Sequence, residues 1–279
     1  MPIWQGNTTL FAELGASGLQ ITNERGMVLR SLHASNEQAN LVAARLQPGG
    51  RRLAIVDSSG AASVYDLATG KIRIQTTSIG IAPVQQADIS PSGDGAVIVS
   101  SNSQEVIYID LHTGKFHVIG SGGAASAVFT KDRLLIQRTS GTLEIWDSNG
   151  RQLLGSLPGT GGFVNALAVS PDGTVVARIR DNGTLLITDL TSGQALGSFS
   201  LPFPANQYAA DPWRATALQF TPDGKALLTA TAGTEMMRWD LYPPDLVQIA
   251  CATAGRALTA TEWRAYVHTS PPTDLACQL

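Results

Sequence analysis

The chain has 279 residues, 43% of them hydrophobic and 15% charged, with a formal net charge of −3. That is length for one large all-β domain or two ordinary ones, with apolar surface enough for a core, and the low charge leaves Ser, Thr, Asn and Gln to face much of the solvent. A small net charge without a Lys/Arg run carries no electrostatic footprint for nucleic acid, no stretch of about 18 apolar residues predicts a bilayer span, and two cysteines make no disulfide scaffold.

In chain order, the N-terminal MPIWQGNTTLFAELG lacks a basic segment ahead of an apolar core, so it is not read as a secretory signal, and the default compartment is the cytoplasm. The first group of strands reads TTLFAEL, LQITNERG and MVLRSLHA, with only Met1–Asn7 left for an innermost strand. A tight turn then recurs ahead of a second strand: QPGG (Gln47–Gly50), SPSGDG (Ser90–Gly95), TKDR (Thr130–Arg133), SPDG (Ser170–Gly173) and TPDG (Thr221–Gly224). Pro presets φ and Asp-Gly supplies a positive-φ position, so each is a turn with a mechanism.

A second phrase closes the third strand of each unit: SVYDLATGK, VIYIDLHTGK, LEIWDSNGR, LLITDLTSGQ and MMRWDLYPP. The clearest copy, FVNALAVSPDGTVVARIRDNGTLLITDLTSGQALGSF (Phe163–Phe199), reads as four antiparallel strands, with Asp181-Asn182-Gly183 as a hairpin signal. Counting Asn23, Asp66, Asp110, Asp147, Asp189 and Asp240, the period is roughly 40 residues, that of a four-stranded propeller blade. Carboxylates this regular predict a turn role, since Asp accepts backbone N–H bonds, rather than catalysis.

The inner strands read LVAARL, VQQADI, AASAVF, FVNALAV and ATALQF, with few ionisable groups beyond Arg45 and Asp88. That counts against a channel enzyme, which needs converging acids, histidines or a metal. His33, His112, His117 and His268 are scattered, give no metal-ligand spacing with the cysteines and have no nucleophile elbow near them. No cofactor or metal is expected. GSGG (Gly120–Gly123) and GTGG (Gly159–Gly162) offer backbone N–H groups to an anion, but no helix follows to add a dipole, and they read as loops between units.

The stretch LPFPANQYAADPWRA (Leu201–Ala215) interrupts the period just before a first strand and holds Tyr208, Trp213 and Arg214, residue types enriched in binding hot spots. These three are the candidate partner-binding residues; the alternative is that Trp213 packs on a neighbouring unit. The last unit lacks a Thr-Gly turn and continues as YPPDLVQIACATAGRALTATEWRAY, where two prolines stop the sheet pattern. Two short helices are expected there, the first from Pro244-Asp245 to Gly255, the second opened by a capping box at Thr259–Glu262 with Leu258 stapled onto Trp263.

With Trp146-Asp147 and Trp239-Asp240 as literal Trp-Asp pairs and Tyr65-Asp66, Ile109-Asp110 and Thr188-Asp189 as degenerate ones, nearly the whole chain resembles the WD40-repeat β-propellers. The resemblance implies an all-β propeller of about six recognisable blades over residues 1–243, the first and last incomplete, with a C-terminal helical tail over 244–279 packed on it. No Gly-His pair precedes a first strand, so the family's His–Ser/Thr–Asp–Trp network is expected to be missing or incomplete. The seam is open to three readings: an imperfectly closed ring, part of a larger propeller, or a seventh blade finished by another chain.

The tail, through Cys251, Gly255, Arg256, Leu258, Thr259, Glu262, Trp263, Tyr266 and Cys277, resembles the end of propellers attached to bacterial signalling ATPases of the STAND class. That implies a bacterial sensor or scaffold, although no GxxxxGK[ST] loop occurs. Cys251 and Cys277 are either a disulfide or two buried thiols. The resulting expectation is a non-enzymatic module that presents loops to a protein partner. The alternatives are a small-ligand or enzymatic propeller using the channel and a structural subunit completed by another chain.

Overall fold

The computed structural model of the protein describes residues 2–5, 8–15, 18–23, 25–32, 39–76, 83–120, 122–159, 164–180, 183–201, 217–230 and 236–241, with Thr259 and Thr261. Within them lie 23 strands in six antiparallel sheets. Sheet 1 holds β1 (Pro2–Gln5), β2 (Thr8–Gly15), β3 (Gly18–Asn23) and β4 (Val28–Leu32). Sheet 2 holds β5 (Leu41–Leu46), β6 (Arg52–Asp57), β7 (Ala62–Asp66) and β8 (Ile72–Gln75). Sheet 3 holds β9 (Val84–Ile89), β10 (Gly95–Ser100), β11 (Val106–Asp110) and β12 (Phe116–Val118). Sheet 4 holds β13 (Ala124–Phe129), β14 (Arg133–Arg138), β15 (Leu143–Asp147) and β16 (Leu153–Leu157). Sheet 5 holds β17 (Val164–Val169), β18 (Val175–Arg180), β19 (Thr184–Asp189) and β20 (Ala195–Ser200). Sheet 6 holds three strands among the described residues, β21 (Ala217–Phe220), β22 (Ala226–Ala230) and β23 (Met236–Asp240).

Strands pair in chain order within every sheet. The first strands of successive sheets lie side by side, β1 by β5, β5 by β9, β9 by β13, β13 by β17 and β17 by β21, so they form the inner wall. Fourth strands lie outermost, and Phe116, Val118, Leu154 and Leu196 there are about half exposed or more.

Second strands explain why sheets stack. A strand buried on both faces reads as a continuous apolar run, and β10 is buried at all six positions. Side chains alternate faces with period two, so one strand feeds two cores. Leu53 and Ile55 pack toward sheet 1 with Leu10, Ala12 and Leu19, while Ala54 and Val56 pack toward sheet 3 with Ile89, Ala96 and Ile98. Val97 and Val99 meet Leu134 and Ile136 of sheet 4, Leu135 meets Val176 of sheet 5, and Ala177 and Ile179 meet Phe220 and Leu227 of sheet 6. Five seams thus hold six sheets.

The first sheet corrects one expectation. It is not short of a strand: β1 pairs with β2 from Pro2↔Phe11 to Gln5↔Thr8, because four residues suffice for the inner ladder. It is one-sided instead. On β2, Leu10 and Ala12 are buried against sheet 2, whereas Phe11 and Glu13, on the other face, are exposed. The expected helical tail lies outside the described residues except for Thr259 and Thr261, the latter helical and exposed.

One buried cation stands out in the seam between sheets 4 and 5. Arg178 is 2% exposed, its Nη2 donates to Thr188 Oγ1 at 3.3 Å, and its Nε and Nη1 have no hydrogen-bond partner among the described residues. Thr188, like Trp146 in sheet 4, immediately precedes the repeated Asp. Burial lowers the guanidinium pKa, which is the sign of a charge held against its desolvation cost. Arg178→Met keeps the volume and removes the charge. It is expected to raise the unfolding free energy by about 1 kcal/mol or more, read as a higher denaturant midpoint at unchanged m; a lower midpoint would show that the charge has a stabilising partner.

Candidate functional site

The repeated carboxylates build the turns between third and fourth strands. Asp66 Oδ1 accepts the N–H groups of Ala68 and Thr69 at 3.0 and 3.1 Å, Asp110 Oδ1 those of His112 and Thr113 at 2.8 and 3.0 Å, and Asp189 Oδ1 those of Thr191 and Ser192 at 3.0 and 2.6 Å. Asp147 differs because the glycine of its turn, Gly150, stands one residue earlier than Gly70, Gly114 and Gly193; it accepts from Arg151 and Gln152 at 2.7 and 3.0 Å. Asp240 differs more: it accepts from Arg238 Nε on its own strand at 2.8 Å. Asp66 also accepts from Arg73 of β8, Nε at 2.9 Å and Nη2 at 2.6 Å, and this guanidinium pair, with the Thr69 N–H, holds its carboxyl at about 2.

The tryptophans of the two literal Trp-Asp pairs find different partners. Trp146 Nε1 donates to Glu144 Oε2 at 2.8 Å, and the same oxygen accepts from Arg138 Nε at 2.9 Å and Nη2 at 2.7 Å. Arg138 also donates to the carbonyls of Gly122 and Ile119 at 3.0 and 3.3 Å, so the GSGG loop turns carbonyls toward a cation. Trp239 Nε1 donates to Thr229 Oγ1 at 3.1 Å, and its ring lies 4.6 Å from that of Phe199. Tyr208, Trp213, Arg214, Cys251, Arg256, Glu262, Trp263 and Cys277 lie outside the described residues. His112 Nε2 lies 2.8 Å from Asp94 Oδ1 on the surface, and His117 lies beside Tyr108.

The inner wall holds a polar cluster that sequence reasoning left unassigned. Gln85 Nε2 donates to Ala125 O at 2.9 Å, Gln86 Oε1 accepts from Ala127 N at 2.9 Å, and Asp88 Oδ2 accepts from Phe129 N at 2.8 Å. Three β9 side chains thus satisfy backbone groups along the open edge of β13, where no ladder partner is available. Asp88 Oδ1 accepts from Ile89 N at 2.8 Å and lies 3.5 Å from Arg45 Nη2 of β5, so this carboxylate links three sheets. Burial pushes its pKa up, opposed by Arg45 and the two N–H groups. The signal was present in VQQADI, the one polar reading among otherwise apolar inner strands.

A groove opens on the outer side of the last seam. It holds about 1050 Å³ and is lined by Leu196, Phe199 and Trp239, with Asp172, Lys225 and Arg238 on its rim. The other four seams are covered there by the turn after the repeated Asp. A Cβ added at Gly70 would stand 3.6 Å from Leu32, one at Gly114 3.6 Å from Thr76, one at Gly193 3.1 Å from Leu157, and one at Gly150 would strike Ile119. Phe199 pairs with Leu185 as Leu157 pairs with Leu143. After Asp240 the chain reads Leu-Tyr-Pro-Pro in place of the glycine-containing phrase of the earlier copies.

With this geometry known, the comparisons decide the fold. The solved β-propeller domain of Cps50 (Swd1) from Myceliophteria thermophila matches 83% of this chain and 79% of that one, with a TM-score of 0.65 at 17% identity. The chain folds as a WD40-like β-propeller. The rice protein called small ribosomal subunit protein RACK1y (Oryza sativa subsp. japonica) is 38% identical over 74 residues, 24% of this chain and 22% of that protein's length. No family model matches the chain. Each sheet is accordingly a blade.

Two outcomes follow for the carboxylates. The Asp66 carboxyl is lowered on folding, so the stability it contributes is present above its unfolded value of about 3.9 and is lost as pH falls toward about 2. Asp66→Asn should therefore flatten the stability–pH profile between those limits in acid denaturation; an unchanged slope would contradict the Arg73 pairing. Asp88 is shifted the other way, so its ionisation costs stability as pH rises past the unfolded carboxylate value. Asp88→Asn keeps an acceptor for Phe129 and removes that pH-dependent loss, whereas Asp88→Ala strands the N–H and should cost about 1–3 kcal/mol. Urea midpoints at acid and neutral pH separate the two.

Proposed function

We propose that this propeller is a non-catalytic interaction module that presents its loops to a protein partner. The observation that carries the reading is the frame itself: five apolar seams fix six blades, and the inner-wall groups Gln85, Gln86 and Asp88 are engaged in holding β13. A rigid scaffold of this kind leaves recognition to its loops, and a few aromatic and Arg anchors there carry the binding energy. Tyr208, Trp213 and Arg214 are assigned that role. The resemblance of the tail, through Arg256, Glu262 and Trp263, supports a place in bacterial cytoplasmic signalling.

The experiment is photo-crosslinking in lysate of the source organism with the full chain as bait, followed by mass spectrometry. A stoichiometric partner protein, lost with the Trp213→Ala, Arg214→Ala double variant, is the expected result. Retention of that partner by the variant would remove the assigned surface, and capture of no protein would overturn the module reading.

A further inference from the structure

We infer that the seam between blades 4 and 5 is the place at which this propeller opens, blades 1–4 and blades 5–6 parting as two bodies. The inference goes beyond the interaction reading and does not depend on it. It rests on one pair of facing positions. The second strands of blades 2 to 6 share a register, because Arg52, Gly95, Arg133, Val175 and Ala226 each pair with the repeated Asp of their blade. The residue four places after that point faces the next blade, and there it meets the residue three places after the same point. Val56 thus meets Ile98, and Val99 meets Ile136, each pair within one apolar cluster. In the following seam Leu135 and Val176 share a cluster. Side chains two residues further along each strand keep the same face, and these are Gln137 and Arg178.

Both side chains are buried, Gln137 at 0% and Arg178 at 2% exposure. Gln137 Nε2 donates to the carbonyls of Arg138 and Thr142, both at 3.2 Å, which fixes the amide. Its Oε1 then has no partner among the described residues, and neither do Arg178 Nε and Nη1. An acceptor and two donors therefore share one seam with no hydrogen bond between them. In the last seam the corresponding pair is Ile179 and Thr229, and that hydroxyl accepts from Trp239 Nε1 at 3.1 Å. A buried polar group without a partner regains its hydrogen bonds when water reaches it, and a buried unpaired charge regains its hydration in the same event. Parting of this seam relieves both. Parting at Val56 and Ile98, or at Val99 and Ile136, relieves neither and puts apolar surface into water. A structure opens first where the fewest apolar contacts hold it.

The test places one thiol in each of two seams of the full chain. Val176→Cys probes blades 4 and 5, Val97→Cys probes blades 3 and 4, and both positions are 0% exposed. Iodoacetamide is added under native conditions, and peptide mass spectrometry follows alkylation at the substituted position alone, each rate being divided by that of the urea-unfolded chain. Alkylation at position 176 is expected to be about tenfold faster or more than at position 97. Adding Gln137→Val and Arg178→Ile copies the apolar pair of the neighbouring seam. It should slow position 176 to the rate at position 97 and leave position 97 unchanged. Arg178→Met alone should slow position 176 in part, which keeps the test decisive if the double change fails to fold; circular dichroism reports folding of every chain. Equal rates in the two starting chains mean that the propeller opens only as a whole, and they overturn the proposal. So does a rate at position 176 that the substitutions leave unchanged or raise, the result if Arg178 has a counter-charge outside the described residues. None of these outcomes touches the crosslinking result, which depends on Trp213 and Arg214.

Discussion

Burial of second strands on both faces is the constraint on which the structure depends. A four-stranded sheet whose middle reads Ala96-Val97-Ile98-Val99 has no solvent side, and so it is stable only between two others. Blades 2 to 5 hand one parity of their second-strand side chains to the preceding neighbour and the other to the next. On β2 of blade 1, Leu10 and Ala12 are buried while Phe11 and Glu13 are exposed.

Polar groups in this frame serve edges and turns. An inner strand has one ladder partner and one bare side, and β13 has that side satisfied by Gln85, Gln86 and Asp88 from the blade before it. The same logic sets the role of the repeated Asp, which closes a turn whose N–H groups have no sheet to join. Those turns seat on the outer strand of the preceding blade, so one residue type couples the local turn to the packing of two sheets. At Asp240 the turn sequence changes to Leu-Tyr-Pro-Pro, and the carboxylate accepts from Arg238 of its own strand.

Much of this was legible in the sequence because repeats make local signals reinforce each other. Turn position, strand parity and the Asp at the end of each third strand agree from one copy to the next, and six blades follow from that agreement. The inner strand of the first blade was undervalued, since four residues, Pro2–Gln5, carry little pattern of their own and gain their strand character from pairing with β2. The loop around Trp213 stands out by its interruption of the period and by its residue types, signals that report an insertion and its chemistry but not where its side chains lie.

The sequence by itself determined the all-β class, the four-strand unit, the turn chemistry and the irregular end, because each depends on spacings of a few residues along the chain. Only the tertiary structure decided which side chains act between blades. Asp88 meets Arg45 and Phe129 across about one repeat length in each direction, Gly193 meets Leu157, and Arg178 stands in a seam without a counter-charge among the described residues. Those contacts depend on how far each blade is rotated against the next, and that angle is fixed by the packing of whole sheets, which no short stretch of sequence encodes.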